Sequence, residues 1–252
     1  MPFSLMILAH FTTSRRVASA NCSGVLATGK APTLASLAAE WRADVPPPSE
    51  FVFNREMRDL ERLMLAFLQA EREDFAEGRT IAWREAERWF PDWGAAPVMY
   101  DAGNGMRFRI TGKIDRIDEL AGGALRVVDY KTGSSFSYRR DAKQAPCHGG
   151  RHLQPALYAA GAGQTVGGRV TSFEYRFPKE RAPGHRQAWA ASEFAGAQPV
   201  VRSLLTHSEH GNFVATDDAS DCKFCAFGRV CRVTADEFKV SSPRAEWGKK
   251  HG

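Results

Sequence analysis

The chain has 252 residues, 43% hydrophobic and 25% charged, with a net charge of +5 and a pI of about 9.0. That is an ordinary globular composition, long enough for one large domain or two small ones with a real core. No apolar run approaches the roughly 20 residues that a membrane-spanning helix needs, which excludes a helical membrane span. The basic balance suits a polyanionic partner such as nucleic acid.

The first residues, "FSLMILA", have no basic residue before them and run into "HFTTSRR", a poor match to a secretory signal. A cytoplasmic protein is the expectation. There are five cysteines, and three of them fall between positions 222 and 231. In a reducing compartment that spacing favours a metal or cluster over disulfides.

Residues 1–50 are rich in Ala, Ser and Thr and end in "DVPPPSE", whose prolines stop a helix. From 51 to 77, Phe53, Met57, Leu60, Met64 and Phe67 recur at spacings of three and four, with Glu and Arg on the other face. This predicts an amphipathic helix. "TIAWREAERWF" (80–90) opens as a strand or extends the helical region. "MRFRITGKIDRID" then alternates with period two, placing Phe108, Ile110 and Ile114 on one face. "AGG" gives a turn and "LRVVDYK" a second strand. "SSFSYRRDAKQAPCHGG" is a polar loop. "HLQPALYAAGA" is a helix with Pro155 in its first turn. "RVTSFEYRF" is a strand, and "ASEFAGAQPVVRSLLTHSEHG" a helix. This order predicts an α/β fold, a mixed sheet with helices on its faces. It divides into an irregular segment 1–50, a core 51–215 and a cysteine-rich tail 216–252.

The hairpin "GKIDRIDELAGGALRVVDYKTG" (112–133) carries Asp115, Asp129 and Lys131 inside apolar strands. Residues i and i+2 of a strand share a face, as do directly opposed residues of an antiparallel pair. A turn centred on Gly122 sets Asp115 opposite Asp129 and Ile117 opposite Val127, with Lys131 beside Asp129. That register needs an odd-numbered loop, which Gly122 and Gly123 permit. Two adjacent carboxylates repel unless a cation lies between them, and such an oxygen-rich pair suits Mg²⁺ or Mn²⁺. The alternative is a solvated strand face on which Lys131 neutralises Asp129. The apolar neighbours Leu125, Val127 and Val128 weigh against it, because burying charge without purpose is costly.

These residues carry a resemblance. Gly112, Asp115 and Arg116 form G-x-x-D-R, residues 129–133 read D-Y-K-T-G, and Gln154 and Tyr158 form Q-x-x-x-Y. In that order and spacing, over roughly residues 80–232, the chain resembles the PD-(D/E)XK nuclease superfamily, specifically its RecB/AddB-type, iron–sulfur-containing branch. The resemblance implies a restriction-endonuclease-like sheet and a Mg²⁺- or Mn²⁺-dependent deoxyribonuclease of recombination and double-strand-break repair, an exonuclease in character, working with a helicase partner. It implies that Asp115, Asp129 and the Tyr130 backbone carbonyl hold the metal, with Glu87 a further ligand. Lys131 is the catalytic lysine, assisted by Gln154 and Tyr158. Arg116, with Arg139, Arg140 and Lys143 in the loop beside the site, would meet DNA phosphates.

The tail "DCKFCAFGRVC" sets Cys222, Cys225 and Cys231 as C-x2-C-x5-C, a spacing that can hold one metal or cluster. The same resemblance implies a [4Fe–4S] staple closed by an upstream cysteine, for which Cys22 is in the right order along the chain. Zinc with His207 or His210 as fourth ligand is the alternative. A nuclease-fold DNA-binding scaffold that no longer cuts is the rival function; the retained Asp115, Asp129 and Lys131 weigh against it.

Overall fold

Helix α1 (Glu50–Ala76) starts at Ser49, whose Oγ accepts the Val52 N–H at 3.2 Å, satisfying one of the donors that every helix start leaves open. Its buried face is apolar at first, with Phe53, Leu60, Leu63 and Phe67, and then turns acidic at Glu71 and Asp74. The protein, here as a computed structural model, is described over residues 46–78, 80, 82–138, 147, 150, 152–178 and 184–211, with short pieces at 38–39, 42–43, 223 and 225–227. No helix among these is long and apolar enough to cross a membrane.

The ambiguous segment after α1 is a strand, β1 (Ala82–Phe90). The long alternating run divides at Thr111. Its first part, β3 (Arg107–Ile110), pairs with β2 (Val98–Asp101) in a separate two-stranded sheet. Its second part, β4 (Gly112–Glu119), lies between β1 and β5 (Leu125–Tyr130). Helix α2 (Gln154–Thr165) carries the chain across to β6 (Val170–Phe177), parallel to β5, and β7 (His185–Ala190) closes the sheet antiparallel to β6. The main sheet has the order β1-β4-β5-β6-β7. The final predicted helix is two helices, α3 (Ala191–Phe194) and α4 (Ala197–Glu209).

The β4–β5 hairpin has the odd turn. Ile117 pairs with Val127, and Glu119 with Leu125. The turn between them adopts positive φ at Gly122 (79°) and Gly123 (75°), a backbone region glycine enters without steric cost. Every side chain of the two strands is thereby sorted onto a face.

One face of the sheet carries the rings of Phe173, Tyr175 and Phe177. Phe173 meets Tyr175 edge-on with centroids 4.8 Å apart, and Tyr175 meets Trp189 at 5.0 Å. Helix α2 covers this face with Ala156, Ala159 and Ala162 buried. The approach is close at Phe90: a Cβ on Gly112 or on Gly161 would lie 2.7 Å from its ring.

The other face is ionic. Arg116 Nη1 donates to Glu71 Oε1 at 2.6 Å and to the Tyr130 hydroxyl at 2.9 Å, and Nη2 donates to Asp118 Oδ2 at 2.9 Å. Arg126 Nη2 donates to Asp118 Oδ2 at 2.7 Å and to Thr80 Oγ1 at 2.6 Å. Arg176 reaches Glu71 Oε1 and Asp74 Oδ2, both at 2.6 Å, and Glu174 Oε1 at 2.9 Å. Arg186 pairs with Asp74. Four guanidinium groups (Arg116, Arg126, Arg176, Arg186) thus meet four carboxylates (Glu71, Asp74, Asp118, Glu174), and the set is neutral. Burial alone would disfavour these charges; the neighbouring arginines nevertheless hold the Asp118 carboxyl below its usual range. The end of α1 is fastened to the sheet by charge, where its beginning uses apolar packing.

Arg116 therefore does not meet DNA. It is 0% exposed, because the residue after Asp115 in a strand must point to the opposite face. Replacing it with methionine leaves Glu71 and Asp118 without their shared donor. Arg116→Met is expected to lower unfolding stability by about 3–5 kcal/mol, read from urea denaturation. An unchanged midpoint would show that the cluster does not hold α1 to the sheet.

Candidate active site

Three elements converge at the end of β5. Strand β4 supplies Asp115, β5 supplies Asp129 and leads directly into Lys131, and α2 begins with Gln154. The Lys131 N–H donates to the Arg176 carbonyl at 2.8 Å, so the β6 pairing continues past the end of β5 and fixes the lysine's direction. Asp115 Oδ2 accepts the Tyr130 N–H at 2.8 Å. That bond ties the two strands together where the ladder ends at Arg116 and Val128, and the register carries Asp115 opposite Asp129. The Tyr130 ring turns the other way, 5.8 Å from Phe67, so only its backbone belongs to the site.

Asp129 is 4% exposed. Its Oδ1 accepts from Gln154 Nε2 at 2.6 Å. Its Oδ2 has the Lys131 ammonium 2.5 Å away, as an ion pair. Burial pushes the Asp129 carboxyl up, against the opposing pull of Lys131 and Gln154. Burial and then the Asp129 charge push Asp115 up to about 6, against the Tyr130 N–H and the cations Lys131 and Lys113. Two adjacent carboxylates, Asp129 buried and Asp115 half-buried, both with raised pKa values, fit a divalent cation, which takes oxygen ligands and favours both ionised forms.

Gln154 is held on three sides. Besides Asp129, its Oε1 accepts from Lys131 Nζ at 3.3 Å and from the Tyr175 hydroxyl at 2.9 Å. An amide whose oxygen receives two donors has one orientation. Tyr175 is 1% exposed, burial pushes its hydroxyl pKa well up, and it stays a donor. The Lys131 ammonium lies 5.1 Å from the centre of its ring. Sequence reasoning missed Tyr175. It pairs with Asp129 in the parallel β5–β6 register, a signal visible only once those strands are known to be neighbours. Tyr158, half-buried on α2, stacks edge-on with Phe90 at 5.3 Å and Phe173 at 6.5 Å. Burial raises its hydroxyl.

Glu87 does not join the two aspartates. The β1–β4 register, Ala86 with Arg116 and Arg88 with Ile114, sets it opposite Asp115. Its φ of 54° breaks the strand's alternation there, and its carboxylate pairs with Lys113. Among the described residues no three His, Cys, Asp or Glu side chains gather as metal ligands. Arg139, Arg140, Lys143, Cys22, Cys222 and Cys231 lie outside the described residues. Cys225 is exposed with a free thiol. His207 lies in the last turn of α4, and His210 Nδ1 lies 2.7 Å from the Thr206 carbonyl.

A mixed five-stranded sheet flanked by helices, with two carboxylates and a lysine at a strand end, is the architecture of a restriction-endonuclease-like nuclease fold. Residues 10–232 match the PD-(D/E)XK nuclease superfamily, and the chain belongs to it. It is also similar to the solved structure of SSO0001, at 13% identity over 92% of this chain and 95% of that one, with a TM-score of 0.31; a likeness that slight says nothing further. No curated protein matches the chain.

The raised Asp115 pKa gives a signed expectation. Between the ordinary carboxylate pKa and about 6 the folded state holds more protons at this group than the unfolded state, so stability falls as pH rises through that window. Asp115→Asn removes the effect and keeps an oxygen for the Tyr130 N–H. Without divalent metal, the variant should unfold at higher urea than wild type at pH 7.5, by about 1–2 kcal/mol. The gap should close below about pH 4. A variant that is less stable at pH 7.5 would contradict this.

Proposed function

We propose that the protein is a Mg²⁺- or Mn²⁺-dependent deoxyribonuclease of the RecB/AddB type, hydrolysing phosphodiester bonds as an exonuclease in recombination and double-strand-break repair. The observation that carries the reading is the meeting of Asp115 and Asp129, opposed across the β4–β5 hairpin, with the Lys131 ammonium 2.5 Å from Asp129 Oδ2. Asp115, Asp129 and the Tyr130 carbonyl would hold the cation. When bound, it polarises a phosphate oxygen and lowers the pKa of a water. The chain's own groups do the rest. Asp129 and Gln154 hold the Lys131 ammonium at the end of β5. From there it orients the attacking water or stabilises the negative charge that grows on the phosphate. Gln154 keeps the lysine in place, and Tyr175 keeps Gln154 in its orientation.

Resemblance alone supports three finer parts of this reading. Arg139, Arg140 and Lys143 would bind the phosphates of the strand being cut. Cys222, Cys225 and Cys231, with Cys22, would hold a [4Fe–4S] staple, or zinc with a histidine. A helicase subunit would deliver the DNA.

The test uses linear duplex and single-stranded DNA with Mg²⁺ or Mn²⁺. Wild type should degrade DNA, and Lys131→Ala should lower the rate by about 10²-fold or more with DNA affinity nearly unchanged. If wild type is no faster than Lys131→Ala, the protein is not this enzyme.

A further inference from the structure

Strand β6 ends in F-E-Y-R-F, and its three rings, Phe173, Tyr175 and Phe177, lie in the core under α2. All three are buried. Packing at such a position is met by phenylalanine, and a buried hydroxyl is costly unless it is hydrogen-bonded. Of the three rings only the middle one carries a hydroxyl, and it is the one in register with Asp129.

Tyr175 bears on Lys131 in two ways. The lysine's ammonium lies over the ring, 5.1 Å from its centre, within the reach of cation–π attraction. The hydroxyl donates to Gln154 Oε1 at 2.9 Å, the same oxygen that accepts from Lys131 Nζ at 3.3 Å. The ring itself is closely held: those of Tyr138, Phe173 and Trp189 have centres 4.7, 4.8 and 5.0 Å from its own. Both contributions come from neutral groups. Asp129, which pairs with the ammonium at 2.5 Å, has a second claim on it, because on the nuclease reading it also holds a metal. A neutral ring and a neutral amide hold the lysine whichever cation the carboxylate serves.

From these contacts we infer that Tyr175 is a positioning residue for Lys131 with two separable contributions. Its ring seats the ammonium, and its hydroxyl fixes the amide oxygen that accepts from that ammonium. Phenylalanine at this position keeps the first contribution and loses the second; leucine loses both. The effect on catalysis rests on the nuclease reading; the seating of the lysine does not.

The experiment has two readouts. The first is NMR of the metal-free protein with isotope-labelled lysine, the Lys131 ε-methylene signal being assigned by its loss in Lys131→Arg. A group over an aromatic face is shielded by the ring current. The signal should lie upfield of solvent-exposed lysines in wild type and Tyr175→Phe, and return to their range in Tyr175→Leu. The second is cleavage of linear DNA with Mg²⁺. Tyr175→Phe should lower kcat by about threefold to tenfold and Tyr175→Leu by about 30-fold, both with KM nearly unchanged. The leucine variant opens a gap among buried rings; if it does not fold, wild type and Tyr175→Phe still decide. A Lys131 signal in the ordinary range in wild type, a Tyr175→Phe kcat equal to wild type, an equal loss in both variants, or a loss confined to KM would each overturn the assignment. The two readings fail separately. If wild type cuts nothing but its Lys131 signal is shielded, the nuclease reading falls and the seat stands. If wild type cuts and the signal is ordinary, the reverse holds.

Discussion

The pairing of Ile117 with Val127 across the odd turn at Gly122 decides what each face of the sheet can do. Side chains alternate strictly along a strand, and a slip of one residue exchanges the two faces. In the observed register Asp115, Asp129 and Lys131 share one face, and Arg116, Asp118, Arg126 and the Tyr130 hydroxyl share the other. A slip would separate the two aspartates and turn unpaired arginines toward α2. The site and the ionic layer beneath it are consequences of the same pairing.

The ionic layer has a physical logic of its own. Buried ion pairs add little stability compared with apolar packing, but removing one member is costly. A layer of four arginines and four carboxylates therefore does less to raise stability than to reject wrong arrangements. Glu71 and Asp74 find partners only if α1 lies along the sheet in one position, because Arg116, Arg176 and Arg186 come from three different strands. Arg176 serves both faces: its guanidinium joins the ion layer, and its backbone carbonyl accepts from the Lys131 N–H. The docking of α1 and the direction of the catalytic lysine meet in that residue.

The hairpin was the most legible part of the sequence, because its register follows from arithmetic on the turn. The same arithmetic places Arg116 on the buried face; the G-x-x-D-R motif points the other way, toward DNA, and the alternation is what holds. Strand β7, "HRQAWA", escaped because its pattern is polar and broken; its pairing with β6 supplies the order its own residues lack. Short β2 and β3 escaped because the alternation from Met106 to Asp118 runs unbroken through Thr111, with no turn residue at the point where the chain changes sheets. Glu87 was misplaced by a positive φ inside a strand, which no side-chain pattern announces. Tyr175 required the neighbour relation of β5 and β6, which depends on the crossover through α2.

In this account, two carboxylates are forced into proximity by the hairpin and stay strained until a cation joins them. The most direct measurement is a calorimetric titration of the metal-free protein with Mn²⁺ near pH 6. Wild type should bind the ion with release of protons, since Asp115 titrates at about 6 and must ionise to coordinate. Asp129→Asn should weaken binding by about tenfold or more and abolish most of the proton release. Equal affinity in wild type and Asp129→Asn, or binding without proton release, would contradict the claim that the hairpin exists to hold a metal between its aspartates.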